Sequence, residues 1–163
     1  LGLSEEILKR FKPSDEDLLI DIGSNTGTLL SMLKAKNLNV LGVDPSEKHA
    51  KIAIKSGIPT VIDYFSEKCA KEIALKHGQA RIMLCNNTFD HVYDLDKFMK
   101  GVTTLLKRNG IFIFEVPYFK NMLENLTHIP YHQQLDYIIL TPLIAFFERY
   151  GMEIVDAELG TPK

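Results

Sequence analysis

The chain has 163 residues, of which 45% are hydrophobic and 25% are charged, a balance typical of a folded globular domain rather than a disordered chain. The chain has 19 Lys and Arg residues and 21 Asp and Glu residues, which gives a formal net charge of -2. This charge argues against a protein whose main role is to bind nucleic-acid phosphates. Only Cys69 and Cys85 are present, without CxxC spacing, so we expect free thiols and no metal site.

The apolar runs, the cysteines and the N-terminal residues of the sequence indicate the cellular location and the domain organisation that we expect. No apolar run approaches the ~20 residues needed to cross a bilayer, so we expect no membrane partner. The two unpaired thiols favour a reducing compartment, and we expect a cytoplasmic location. The sequence begins Leu-Gly-Leu-Ser without a methionine or a signal-peptide core, so we expect one domain over residues 1–163 that is a piece of a longer chain.

The hydrophobic pattern alternates between short apolar runs and longer stretches with helical spacing, which predicts strands alternating with helices. Each of the first five strand candidates is apolar nearly throughout, as strands covered on both faces are. The strand candidates are Leu18–Ile22, Val40–Val43, Thr60–Asp63, Arg81–Cys85, Ile111–Val116 and a weaker Glu153–Ala157. Six strands that alternate with helices predict an α/β fold with a doubly wound, mostly parallel sheet and right-handed crossovers.

Helix start signals lie between these strands. Asp44 followed by Pro45 predicts an N-cap and a first-turn proline, Ser66 predicts the start of a helix that ends near His77, and Thr141 with Pro142 repeats the first device. Another helix is predicted over Asp94–Lys107, closed by Asn109 and Gly110. The aromatic stretch at about 117–140 interrupts the alternation, so we expect a lid or substrate-binding insertion there.

The first strand runs directly into a glycine turn and then a helix. Gly23 and Gly27, with Ser24 and Asn25 between them, permit tight backbone geometry beside a ligand. The GxGxxG fingerprint is absent, which disfavours NAD. Asp21 would repel a pyrophosphate but suits a ligand with an ammonium group, such as S-adenosylmethionine (SAM). The alternative is that the acid and the glycines only close a turn.

Two acids at the ends of the next strands are further candidates for the cofactor. Asp44, with Pro45 after it, lies where an acid can accept both ribose hydroxyls, and helix capping is the alternative. Asp63 and the backbone of Tyr64 could meet an adenine amine, or Asp63 is simply a solvated acid.

The fourth strand ends in two adjacent amides. Asn86 and Asn87 are placed to hold the methionine end of a cofactor or a substrate hydroxyl, and His91 shares that edge. The alternative for Asn87 is a role in a turn.

Together these stretches resemble a known family. The strings DIGSNTGTLL, LGVDPSE, CNNTFDHV, FEVPYFKNMLEN and YHQQLDY, in this order, are similar to those of the class I SAM-dependent methyltransferases, and more closely to the nucleotide-sugar C-methyltransferases. The likeness covers nearly the whole chain. It implies a Rossmann-like fold, SAM as the cofactor and sugar nucleotides as a substrate class.

The sequence also departs from that family. Its members carry a zinc domain before this segment and an α/β domain after it, and their seventh strand is absent here. We therefore expect a sheet without the seventh strand and self-association through the open edge. The family's YHEH signature reads Tyr131-His132-Gln133-Gln134, which leaves His132, with Tyr131, as the candidate acid/base group.

Three functions are compatible with these residues. The first is methyl transfer from SAM to a small, sugar-like or hydroxylated acceptor. The second is O- or N-methylation of another small molecule, where proximity suffices without a strong base. The third is a non-catalytic module that retains SAM binding.

Overall fold

The computed structural model describes residues 2–118, 135–136 and 138–159. The elements in chain order are α1 Leu3–Phe11, β1 Leu18–Ile22, α2 Thr28–Lys34, β2 Asn39–Val43, α3 Glu47–Lys55, β3 Thr60–Val61, α4 Glu67–His77, β4 Ala80–Asn86, a 3-10 helix Phe89–His91, α5 Leu95–Leu105, β5 Leu106–Glu115 and α6 Leu140–Glu148. No helix in the described ranges is long and apolar enough to cross a membrane.

The five strands form one parallel sheet in the order β3-β2-β1-β4-β5, which confirms the predicted α/β class. β1 lies in the middle and all five of its residues are buried. In a parallel sheet the carboxyl ends of the strands meet at one edge, and the order reverses between β1 and β4. This switch point is where open α/β sheets bind ligands.

Helices cover both faces of the sheet. The side chains of Leu19 and Ile82 pack on one face against α1, α2 and α3. On the opposite face Ile20, Met83 and Phe112 pack against α4, α5 and α6. Every second strand residue therefore contributes to the same layer, and full burial of each such side chain stabilises the fold by about 1.5–3 kcal/mol.

Five aromatic rings join the sheet to α5 and α6 on that second face. Phe89, Phe98, Phe112, Phe114 and Phe147 pack with centroid separations of 4.9–6.3 Å. Aromatic pairs at such separations contribute about 0.5–1.5 kcal/mol each beyond their buried area. Since Phe89 begins the 3-10 helix after β4, this cluster fixes the turn that carries His91.

The sixth predicted strand is wrong, because Glu153–Ala157 forms no strand in the structure. Its hydrophobic signal was weak, and Val155 is 69% exposed. Instead the guanidinium of Arg10 on α1 pairs with Asp156 and with Glu158. Charge pairing with α1 takes the place of strand pairing for this segment.

Three predicted boundaries are also corrected. The N-cap of α3 is Ser46, whose hydroxyl accepts a hydrogen bond from the amide of His49, so Asp44 is not the cap. α6 begins at Leu140, which places Thr141 inside its first turn. α5 passes directly into β5 at Leu106, five residues before the predicted strand. By contrast, Ser66 caps α4 as predicted.

Candidate functional site

The predicted glycine turn leaves β1 at the switch point of the sheet. Gly23 and Gly27 have φ angles of 75° and 77°, in the left-handed region that favours glycine. The amides of Gly23 and Ser24 both donate to the carbonyl of Val43, at 2.8 and 3.2 Å. These hydrogen bonds attach the turn to the end of β2. The N-cap residue of α2 is Gly27, so this helix has no side-chain cap.

Gly23 also lies against the loop that follows β4. A Cβ atom at this position would overlap the Oγ1 of Thr88 and lie 3.1 Å from its Cβ. The hydroxyl of Thr88 donates to the carbonyl of Asn86 at 3.1 Å, which holds this side chain in place. The two loops are therefore in contact at the carboxyl edge of the sheet, and we call the part of this edge around them the cleft.

Asp44 connects the glycine turn to the start of α3. One carboxylate oxygen accepts from the amide of Asn25 at 2.7 Å and the other from the amide of Ser46 at 2.8 Å. The carboxyl group is buried although both amides belong to loops. A carboxylate has about four lone-pair positions, so each oxygen keeps capacity for a hydroxyl donor.

Asp21 is the second buried acid of the cleft. It lies one residue before the end of β1, paired in register with Gly42 of β2 and Leu84 of β4. Burial, and to a lesser extent the negative charge of Asp44, raises the pKa of Asp21 to about 7. The group is thus set to gain strongly from a cationic ligand.

Several other buried polar atoms have no hydrogen-bond partner within the described part of the chain. They are the hydroxyl of Ser24, the side-chain carbonyl of Asn86 and both carboxylate oxygens of Asp90. Ser24 lies on the loop after β1, Asn86 is the last residue of β4, and Asp90 lies in the 3-10 helix that follows β4. Buried polar groups are nearly always satisfied, so unsatisfied ones clustered at a sheet edge indicate a place for a ligand.

The remaining predicted cofactor residues differ in their placement. Asp63 and Tyr64 follow β3 at the same edge but are exposed, Tyr64 by 77%, and the Asp63 carboxylate accepts from the Tyr64 amide at 2.8 Å. Pro45 is exposed next to Asp44. These residues lie beside the cleft rather than inside it.

The other two predicted residues are on the β4 side. Asn87 has a φ angle of 49° and its amide donates to the carbonyl of Glu115 at 2.8 Å, so it forms the turn given as its alternative. His91 ends the 3-10 helix at the same edge. The catalytic candidates Tyr131 and His132 lie outside the described residues.

Sequence reasoning passed over Thr88 and Asp90. Both stand in the string CNNTFDHV, in which Asp90 directly follows Phe89. Its significance depends on its complete burial, which no local pattern reveals.

A protein-family model described as a methyltransferase domain matches residues 2–157. The chain is 34% identical over 150 residues to the C-methyltransferase NovU of Streptomyces niveus, covering 91% of this chain and 36% of that protein. It is 30% identical over 115 residues to a ubiquinone biosynthesis O-methyltransferase of Pelagibacter ubique, covering 67% of this chain and 48% of that protein. The chain thus spans about a third to a half of the length of these relatives.

Solved structures agree on the fold. A SAM-dependent methyltransferase from Anabaena variabilis superimposes with a TM-score of 0.67 at 22% identity, covering 89% of this chain and 68% of that one. A phosphoethanolamine N-methyltransferase from Haemonchus contortus, solved in complex with SAM, gives a TM-score of 0.63 at 18% identity, covering 91% and 36%.

Proposed function

The chain belongs to the class I SAM-dependent methyltransferases, and from this premise we propose that it transfers the methyl group of SAM to a small-molecule acceptor at the carboxyl edge of its sheet. The family and its cofactor agree with the sequence prediction. The observation that carries the proposal is the pair of buried acids, Asp21 and Asp44, on either side of a glycine turn at the switch point.

Each group of the cofactor has a matching group in the cleft. We assign the ammonium group of SAM to Asp21, whose carboxylate gains most from a positive neighbour. We assign the ribose hydroxyls to Asp44, which keeps free lone pairs after binding two amides. Gly23, Ser24, Asn25 and Gly27 supply backbone at close approach.

The outer parts of the site are assigned in the same way. The unsatisfied side-chain carbonyl of Asn86 suits the methionine end, with Asn87 and His91 beside it. Asp63 and the backbone of Tyr64 suit the adenine amine, with Pro45 against the same rim. The exposed residues Pro45, Asp63 and Tyr64 contribute less to affinity than the buried acids, because water competes for their hydrogen bonds.

The chemistry needed from the protein is modest. Bound SAM supplies a methyl group on a positively charged sulfur, and its transfer is an in-line displacement that depends on positioning. We propose a sugar-like or hydroxylated acceptor, supported by the similarity to a protein named as a C-methyltransferase and to one named as an O-methyltransferase. A sugar nucleotide is one such acceptor.

The acid/base group is assigned from the sequence. His132, with Tyr131, is the proposed proton acceptor, because the side-chain amides of Gln133 and Gln134 cannot take a proton at neutral pH. A carbon nucleophile beside a keto group requires a base, whereas an oxygen or nitrogen nucleophile can react by proximity. We therefore expect O- or N-methylation to be faster than C-methylation.

The binding step is tested by isothermal titration of the chain with SAM. Asp21→Ala should weaken SAM affinity more than tenfold, the scale of a lost charged hydrogen bond of roughly 1.5–3 kcal/mol. Asp96→Asn is the matched control, because Asp96 lies on α5 and pairs with Arg149 outside the cleft. Unchanged affinity in Asp21→Ala would remove the assignment.

The transfer step is tested with labelled SAM and a panel of hydroxyl, amine and keto-sugar acceptors. We expect transfer to a hydroxyl or an amine, and a loss of rate in His132→Ala. Robust transfer to a keto-sugar carbon would contradict the expected order of acceptors. Tight SAM binding without transfer to any acceptor would instead favour the alternative of a non-catalytic SAM-binding module.

Two further proposals concern the setting of the protein. We propose a cytoplasmic location, supported by two free, buried cysteines. We also propose that the outer edge of β5 mediates self-association, since within the described residues this strand pairs only with β4. Sedimentation equilibrium tests the second proposal, and a strictly monomeric chain at all concentrations would contradict it.

A further inference from the structure

The turn after β4 carries one carboxylate that the proposed function leaves unused. The side chain of Asp90 is 0% exposed, and no described residue donates a hydrogen bond to either of its oxygens. An ionised carboxyl group without a compensating partner is costly to remove from water. The surrounding core is apolar, with Phe89 next to it, so packing alone does not require a charge. Such a group therefore needs a functional explanation.

Within the described residues, the imidazole of His91 lies close to this carboxylate. The Nε2 atom of His91 lies 3.9 Å from the Oδ2 atom of Asp90, and the His91 side chain is 29% exposed while that of Asp90 is 1% exposed. The amide of His91 donates to the carbonyl of Thr88 at 3.0 Å, which holds the turn. The carboxylate of Asp90 is therefore inside the protein, and the imidazole of His91 lies between it and the surface.

The backbone of Asp90 has a separate contact. Its carbonyl accepts hydrogen bonds from the amides of Leu135 and Asp136, at 2.9 and 3.2 Å. Burial raises the pKa of Asp136, and the negative charge of Asp90 raises it further. Asp90 is therefore the residue at which the returning chain after position 134 meets the β4 side of the cleft.

We propose that Asp90 is a positioning residue for His91: the buried carboxylate holds the imidazole at the β4 side of the cleft, while the backbone carbonyl anchors residues 135–136. The inference rests on the proposed function only for the assignment of His91 to the SAM site. Because the backbone anchor does not require the side chain, substitution separates the two contacts.

Asp90→Asn keeps the size of the side chain and the backbone carbonyl but removes the charge. The probe is diethyl pyrocarbonate, which acylates accessible imidazole nitrogens, with each site read by peptide mass spectrometry. Released from the carboxylate, the His91 ring should react about fivefold faster than in the wild type, the effect of losing a modest ion pair. Asp90→Ala should behave in the same way.

Internal and external controls make the comparison specific. His77, exposed at the end of α4, should react at the same rate in every variant. Asp96→Asn removes an exposed aspartate on α5 and should leave His91 unchanged. Hydrogen exchange of the amides at 135–136 should also stay unchanged in Asp90→Asn, since these amides bind the backbone carbonyl.

Two outcomes overturn the inference directly. Unchanged labelling of His91 in Asp90→Asn would show that the carboxylate does not hold the ring. Faster labelling together with faster exchange at 135–136 would show a merely structural role. Both readouts are made on the chain without an acceptor.

A SAM titration cycle tests the route through His91. Asp90→Asn should weaken SAM binding about threefold or more in the wild-type background and have no further effect in a His91→Gln background. Equal losses in both backgrounds would overturn positioning through His91. A wild-type chain that does not bind SAM contradicts the proposed function, whereas the labelling result still decides the role of Asp90.

Discussion

At the scale of single residues, the cleft concentrates negative charge where a cation is expected. Asp44 is stabilised by two backbone amides, whereas burial and the charge of Asp44 raise the pKa of Asp21. The two acids thus have different environments in one cleft. Such an arrangement destabilises the protein without its cofactor and favours the complex, because a cationic ligand relieves the repulsion between the acids.

Asp21→Asn should therefore stabilise the cofactor-free chain at pH 8. The folded pKa of Asp21 is about 7 against an ordinary value of 3.8, so between these values the folded chain holds a proton that the unfolded chain releases. Stability from this group is lost as the pH rises through that window, by up to about 4 kcal/mol above pH 7. Urea denaturation at pH 5 and pH 8 measures the part of this loss that falls above pH 5, about 3 kcal/mol. A wild-type stability that rises between these pH values, relative to Asp21→Asn, would contradict the prediction.

The glycine turn gives a second prediction at this scale. Gly23→Ala and Gly57→Ala both place a side chain at positive φ, at 75° and 83°, which costs about 1–2 kcal/mol. Only the Cβ at position 23 meets Thr88, whereas nothing lies within 4 Å at position 57. Gly23→Ala should thus lower the melting temperature more and also weaken SAM binding. Thr88→Ala should restore part of the stability in the Gly23→Ala background, and equal effects of the two single substitutions would contradict this.

Some residues of the cleft could be predicted from the sequence, and others could not. Asp21, Gly23 and Asp44 were recognised because they lie at the carboxyl ends of predicted strands, where open α/β sheets bind ligands. The role of Asp44 as a bridge between two loops was missed, since the amide of Asn25 is distant in sequence. Asp90 was missed because its burial depends on the aromatic cluster and on the returning chain.

At the scale of elements, Asp44 joins the loop after β1 to the start of α3. Asp44→Asn keeps one oxygen acceptor, so one of the amides of Asn25 and Ser46 loses its partner and the cost is about 1–2 kcal/mol. SAM affinity should fall as well, because the turn and the proposed ribose acceptor change together. Ser46→Ala is the matched control.

Ser46→Ala removes the cap of α3, in which the amide of His49 donates to the serine hydroxyl at 3.4 Å. It should cost about 1 kcal/mol, as a lost N-cap does, without weakening SAM binding. Chemical denaturation and SAM titration of both variants separate the two roles. Equal SAM affinity in the two variants would show that Asp44 acts only as a structural bridge.

The predicted strand bounds are correct for buried β1. They are wrong at the start of β5, which directly follows α5, and at Glu153–Ala157, where a charged side chain forms an ion pair. β1 matches its predicted bounds because all of its residues are buried between two layers of helices. The early start of β5 at Leu106 could not be predicted, because the Lys-Arg-Asn-Gly stretch that follows reads as a turn. The Glu153–Ala157 segment is exposed except for the half-buried Ile154, and Asp156 pairs with Arg10 instead of joining a strand.

At the scale of the whole molecule, the strand order β3-β2-β1-β4-β5 places β1 at the centre of the sheet. The sheet extends from β1 in both directions, and the strand order reverses between β1 and β4, which is where open α/β sheets bind ligands. The central position of β1 makes Asp21 part of the core as well as part of the cleft. Ligand binding at this residue should therefore raise the free energy of unfolding of the whole domain.

The last prediction follows from this coupling. SAM at one fixed concentration, about 100 times its Kd at pH 7, should stabilise the chain by about 2.7 kcal/mol at that pH and raise the melting temperature by about 5–10 °C. Because the cation favours the ionised form of Asp21, binding releases a proton below pH 7, and the increase should be larger at pH 7 than at pH 5.5. Comparison with Asp21→Asn removes the contribution of any titration of SAM itself. In this variant SAM should raise the melting temperature only slightly, without the pH dependence that Asp21 causes. Differential scanning calorimetry of both chains at the two pH values measures the effect, and the same pH dependence in both would show that Asp21 does not face the cation.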